Sequence, residues 1–208
     1  RIDDLYLYKD ERKLLQYTNP DCVAGDLQTS RVVYSGVFTF SDKAYVEKDG
    51  FYLTYERCCR NKTIRNIVDP YSTGITIYTE MPPLNIDKYN SSPVFNKPAG
   101  DYLCVERNYS TSFSAYDEDG DSLVYSLTEP LAGHSSFSVP VITAESAPYE
   151  KVIWQDGFST RASIKGKRPL TINPQTGEIS VNTDEAGTYV FAVLCEEYRK
   201  GKKIGQVT

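Results

Sequence analysis

The chain has 208 residues, room for one large domain or two ordinary ones, and its 17 Tyr, 13 Gly and 11 Pro favour strands broken by turns over long helices. A net charge of −5 offers no electrostatic footprint for nucleic acid, and no apolar run approaches the roughly eighteen residues that a membrane span needs. In chain order, residues 2–8 read as a strand, and residues 10–16 are the one stretch that could make a short helix. A loop containing Asn19-Pro20 and Gly25 leads to a strand over 31–40. The next strand, 50–57, runs directly into Cys58-Cys59, and another over 73–80 ends at Met81-Pro82-Pro83. From there to Asn90-Ser-Ser-Pro93 the chain is polar, proline-bearing and aperiodic, so a boundary is expected near Tyr89.

Beyond it, strands are expected at 102–107, 111–116, 123–128, 151–155, 160–165, 178–182 and 187–197, the short, turn-separated pattern of an antiparallel sandwich. Asn173-Pro-Gln-Thr-Gly-Glu178 supplies a tight turn. Gly187-Thr-Tyr-Val-Phe-Ala-Val-Leu-Cys195 is apolar on both faces and belongs in the middle of a sheet. Arg199-Lys-Gly-Lys-Lys203 reads as a solvated hairpin turn. The expected fold is therefore all-β.

Five cysteines, Cys22, Cys58, Cys59, Cys104 and Cys195, lack the paired spacing of a zinc site, and a single histidine, His134, could help them. Disulfides in an oxidising compartment are the expected use. Cys104 with Cys195 is the expected pair, closing a loop of about ninety residues and removing a few kcal/mol of unfolded-state entropy. Adjacent residues of a strand point to opposite faces, so Cys58 and Cys59 are not expected to share one core bridge. One of them pairs with Cys22, and the other pairs elsewhere or stays free. No signal peptide opens the sequence, and a fragment of a longer exported chain is expected.

The chemistry concentrates in Asp117-Glu118-Asp119-Gly120-Asp121. Four carboxylates in five positions repel one another, so a fold keeps them together only if they stay solvated or a hard cation sits among them. Calcium, with six to eight oxygen ligands, suits a tight turn of alternating Asp residues. An EF-hand does not fit. Counting from Asp117, Ser122 stands where the turn Gly belongs and Thr128 where the bidentate Glu belongs, and the flanks read as strands.

Four segments in order, Ser92-Pro93-Val94-Phe95, Ala115 to Tyr125, Leu170 to Ile179 and Gly187 to Val193, resemble a cadherin-like domain. More narrowly, Tyr55-Glu-Arg-Cys-Cys-Arg-Asn61 followed by Ile67, then Asn90-Ser-Ser-Pro93, then Glu197-Tyr-Arg-Lys-Gly-Lys-Lys-Ile-Gly205 resemble tandem Ig/cadherin-like modules of large secreted surface proteins of Bacteroidota. Many such proteins are gliding-motility-associated or adhesin-like substrates of the type 9 secretion system. The resemblance implies two consecutive antiparallel sandwiches: residues 1–89, Ig-like and N-terminally incomplete, and 90–208, cadherin-like with an acidic calcium loop and C-terminally incomplete. It further implies a non-enzymatic structural or adhesive segment at the cell surface, rigidified by calcium and disulfides. Its partners would be neighbouring modules of the same chain and surface glycans or other cell-surface proteins, with no nucleic acid and no membrane insertion. Carried over residue by residue, the calcium ligands are Asp117 and Asp119, Asn90 from the linker, Glu56 from the first unit and Glu197 from the late strand. The linker reproduces the family's acidic run poorly, which brings Asp121 closer to an ion than anything in the first unit.

Two further residues draw attention. His134 lies in Ala132-Gly-His-Ser-Ser136, but without a Gly-x-Ser-x-Gly turn no catalytic residue is assigned. Trp154, with Tyr149 and Phe158 nearby, could form a sugar-stacking platform, although a lone Trp in a sandwich belongs more often to the core. The alternative function is thus a carbohydrate-binding accessory module of a secreted polysaccharide-degrading enzyme.

Overall fold

A computed structural model describes residues 7–15, 19–22, 29–39, 48–84, 89–96, 102–139 and 147–208. Regular structure there is strand, apart from two single 3-10 turns at Pro20–Cys22 and Thr160–Ala162. Strand β1 (Tyr8–Leu14) pairs antiparallel with β2 (Ser30–Ser35) in a two-stranded ribbon. The helix expected over 10–16 is not formed at 10–14, which lie within β1; residue 16 and residues 2–6 lie outside the described residues. Local helix propensity loses here to cross-strand pairing, which includes an ion pair from Arg31 to Glu11 at 2.7 Å.

The strands that matter for the site form a five-stranded antiparallel sheet. Its members are β3 (Phe51–Arg57), β4 (Ile75–Met81), β8 (Ser122–Thr128), β11 (Ala192–Arg199) and β12 (Lys202–Val207), in the order β3-β4-β12-β11-β8. Strands from both sides of Tyr89 share this sheet, because Gln206 and Val207 of β12 lie opposite Glu80 and Thr79 of β4. The expected division at Tyr89 therefore does not separate the sheets. Other contacts cross it too. The amide of Asn66, wholly buried, donates to the carbonyls of Ser163 and Val190 and accepts the Val190 N–H.

Between β4 and β12 the chain adds β5 (Val94–Phe95), β6 (Tyr109–Ser112), β7 (Ala115–Tyr116), β9 (Arg168–Ile172) and β10 (Glu178–Asn182). A three-stranded sheet has the order β6-β10-β9, and β5 pairs with β7. The turn expected at Asn173–Glu178 joins β9 to β10, and the expected hairpin at Arg199–Lys203 joins β11 to β12 through Lys200 and Gly201, both at positive φ. Other expected strands are not made. Residues 104–107 turn, Lys151 and Trp154 make only isolated bridges, and 160–162 is the second 3-10 turn.

Two clusters hold the C-terminal half together. Ile164, Leu170, Ile179 and Val181 form one, and Tyr125, Val193 and Cys195 the other; Phe113, Leu127, Ile172 and Phe191 touch both. The three-stranded and five-stranded sheets thus share a core, an arrangement compatible with a β-sandwich. The inward face of β11 carries Val193, Cys195 and then Glu197, all buried, at the two-residue period of a strand. A carboxylate consequently occupies the end of an apolar row.

The cysteines pair differently from expectation. Cys22 is bonded to Cys104, with Cα atoms 4.9 Å apart, and Cys58 is bonded to Cys59 across a cis peptide. Cys195 is a free thiol in the core beside Tyr125 and Val193, not bonded to Cys104, and burial pushes its pKa up to about 12. The strand-face rule misleads at Cys58-Cys59 because β3 ends at Arg57. Two disulfides point to an oxidising environment. No helix among the described residues is long and apolar enough to cross a membrane.

Candidate metal centre

The acidic turn folds around Asp117. Its Oδ1 accepts the N–H groups of Asp119 at 3.0 Å and Asp121 at 2.9 Å, while Gly120 takes φ +79 to close the bend. This places the turn at the foot of β8, whose first residue Ser122 lies opposite Tyr198 of β11, one position past Glu197. Asp117, Asp121 and Glu197 each bring a carboxylate oxygen to a common point, all three within 4.8 Å of one another. Glu118 is exposed on the outer side of the turn.

Glu197 is fully enclosed, and the neighbouring β12 makes space for it with Gly205, where a Cβ would come within 2.8 Å of Glu197 Oε2 and 3.0 Å of the Glu80 carbonyl oxygen. Its Oε2 accepts from the Asn90 amide at 3.2 Å, whereas its Oε1, like Asp117 Oδ2, is buried with no hydrogen-bond partner among the described residues. Leaving such an oxygen unsatisfied costs on the order of 1–3 kcal/mol, more for a charged group. Burial pushes the Glu197 pKa up to about 7; the Asn90 hydrogen bond opposes this, and Asp117 and Asp121 add to it.

Of the six residues expected to bind calcium, the structure brings three into the trio. Asp119 and Asn90 form its rim. Asp119 Oδ2 accepts the Ser91 N–H at 2.6 Å, and Asn90 divides itself between Glu197 and Arg199, accepting from the Arg199 guanidinium at 2.7 Å. Glu56 is elsewhere. It sits on β3 under the loop that follows β8, where its Oε2 accepts the His134 N–H at 2.8 Å and its Oε1 is 3.5 Å from His134 Nδ1. A residue of β3, at the far edge of the sheet from β8, belongs to a different polar site.

Arg199 was not anticipated. Its Nε donates to both oxygens of Asp121, at 2.9 and 3.1 Å, and its terminal nitrogen reaches Asp121 and Asn90 and lies 3.7 Å from Asp119. The signal was present in the alternation, since Val193, Cys195, Glu197 and Arg199 fall on one face of β11. It was obscured by the run of Lys and Arg that follows, which reads as a solvated turn.

The donor set suits a hard cation. It contains only oxygen, it carries excess negative charge, two enclosed oxygens lack partners, and the spacing matches an ion bound at roughly 2.3–2.6 Å from each ligand. Trp154, by contrast, is half-buried with its indole Nε1 enclosed. Fold and site together define an all-β protein with a carboxylate-lined candidate cation site. No family model, curated protein or solved structure matches the chain.

Proposed function

We propose that the chain is a non-enzymatic structural or adhesive segment of an exported cell-surface protein, stiffened by disulfides and by a calcium ion held by Asp117, Asp121 and Glu197. One observation carries this reading: three carboxylates from two separate elements converge while Asp117 Oδ2 and Glu197 Oε1 remain enclosed without partners. Bound there, calcium would supply the positive charge those oxygens lack. The remaining work falls to the chain. The Asp117 turn presents its carboxylates from the foot of β8, β11 presents Glu197, and the Asn90-Ser91 segment is tied to both, through Glu197 and through Asp119. Fixing the cluster thereby fixes the segment that connects β4 to β5 against the hairpin of β11 and β12. Such a joint resists pulling and performs no reaction. Its partners are neighbouring β modules of the same chain, with glycans or other surface proteins as what the assembly contacts.

The test is thermal unfolding of the 208-residue chain in a chelator and in millimolar calcium. Calcium should raise the Tm by several degrees, as expected for an ion that binds only the folded state. Identical melting curves, with no heat in a calcium titration, would remove the proposal.

A further inference from the structure

Arg199 bears on the same cluster and rests on the calcium reading above. Among the described residues, Asp117, Asp119, Asp121 and Glu197 supply four negative groups when ionised, and Arg199 is the one positive group hydrogen-bonded to them. Its side chain is 17% exposed, and Asp121 is the acid it shares with the candidate metal trio. Arg199 does not satisfy the trio, however, because Glu197 Oε1 and Asp117 Oδ2 stay enclosed and unpartnered beside it, and Glu197 is wholly buried. The guanidinium is thus close enough to repel an ion and placed so that it cannot replace one.

We propose that Arg199 is a built-in counter-ion that holds the metal-free site together and sets the affinity of the cation it takes. In the metal-free protein its fork grips Asp121 and Asn90, keeping both beside the trio. When a cation enters, that same fixed charge opposes it and weakens its binding. Arg199 is a positioning residue here, acting through Asp121 and Asn90.

This arrangement gives Arg199 opposite effects on two measurements that a purely structural residue would move together. In Arg199→Gln the metal-free protein should melt lower than the parent, because Asp121 loses the guanidinium, yet calcium should bind roughly tenfold more tightly once the repelling charge is gone. Arg199→Lys keeps the charge without the fork, so its calcium Kd should stay within about threefold of the parent while its metal-free Tm falls. Calorimetric titration of the full 208-residue chain with calcium chloride reads the affinity. A parent that binds calcium while Arg199→Gln binds it equally or more weakly overturns the counter-ion role and leaves the calcium reading standing. A parent that binds no calcium overturns both. If the glutamine variant does not fold, Arg199→Lys still decides: a loss of more than tenfold in its calcium affinity shows that the fork, and not the charge, is what the site requires.

Discussion

Two glutamates in this molecule are nearly equally hidden and do different things. The Glu56 side chain is 8% exposed and Glu197 is 0% exposed, and each lies on a strand of the same sheet. Glu56 is matched: a backbone N–H and an imidazole from the His134 loop face its two oxygens. Glu197 is mismatched, with one amide from Asn90, two acids close by and one oxygen without a partner. Burial alone therefore does not single out a candidate ligand; a buried carboxylate beside further acids is the stronger candidate. The first is an anchor for a loop, and the second is a buried acid among acids, which a proton or a cation can neutralise.

Removing the anchor should have the larger effect. Glu56→Ala leaves the His134 N–H without its acceptor and should cost about 2–3 kcal/mol in denaturant unfolding, equally with calcium and with chelator. Rescue of that variant by calcium would mean the two glutamates are not independent. Glu197→Gln should do the reverse. Without calcium it should melt at or slightly above the parent temperature, since a neutral amide tolerates the acidic neighbourhood, and its response to calcium should vanish. A calcium response retained by this variant would mean that the buried glutamate is not a ligand.

The same contrast has a pH signature. Burial pushes the Glu197 pKa in the folded protein up to about 7, above the ordinary carboxylate value of 4.5, so between these values the folded protein holds a proton that the unfolded chain has released. The stabilising contribution is complete below about 4.5 and is lost as pH rises through about 7. In chelator, Tm measured from pH 5 to pH 8 should therefore fall more for the parent than for Glu197→Gln. The stabilisation by calcium should grow over the same interval, because an ion and a proton compete for the carboxylate. Parallel pH profiles for the two proteins would contradict this. The smallest effect belongs to the rim. Asp119→Ala removes the acceptor for Ser91 and should cost about 1 kcal/mol, with most of the calcium response kept. Complete loss of that response would move Asp119 from the rim into the ligand set.

What could be read from the sequence follows the same division between local and long-range. The all-β character, the Asn173–Glu178 turn, the Lys200-Gly201 hairpin and strands β3, β4, β8 and β10 lie close to where alternation and turn residues put them. These are local properties. The acidic turn was legible for the same reason, since crowding of like charge is visible in five consecutive residues. The second half of the site was less so. Glu197 entered through a family resemblance, and Arg199 was read as part of a basic turn because only the register of β11 against β8 shows that its face continues the row from Cys195. Pairings that depend on distant segments were the least legible. Cys104 had an available partner in Cys195 by strand reasoning, but the fold points Cys195 into the core and brings Cys22 to Cys104 instead. Likewise the polar connector near Tyr89 looks like a boundary, yet β12 returns to pair with β4 across it.

The most direct measurement is a crystal structure of the 208-residue chain grown with terbium in place of calcium and collected at the lanthanide absorption edge. An anomalous peak bonded to oxygens of Asp117, Asp121 and Glu197, at roughly 2.3–2.6 Å, is the predicted result. Those three side chains turned apart into solvent, with no peak between them at saturating terbium, would contradict it.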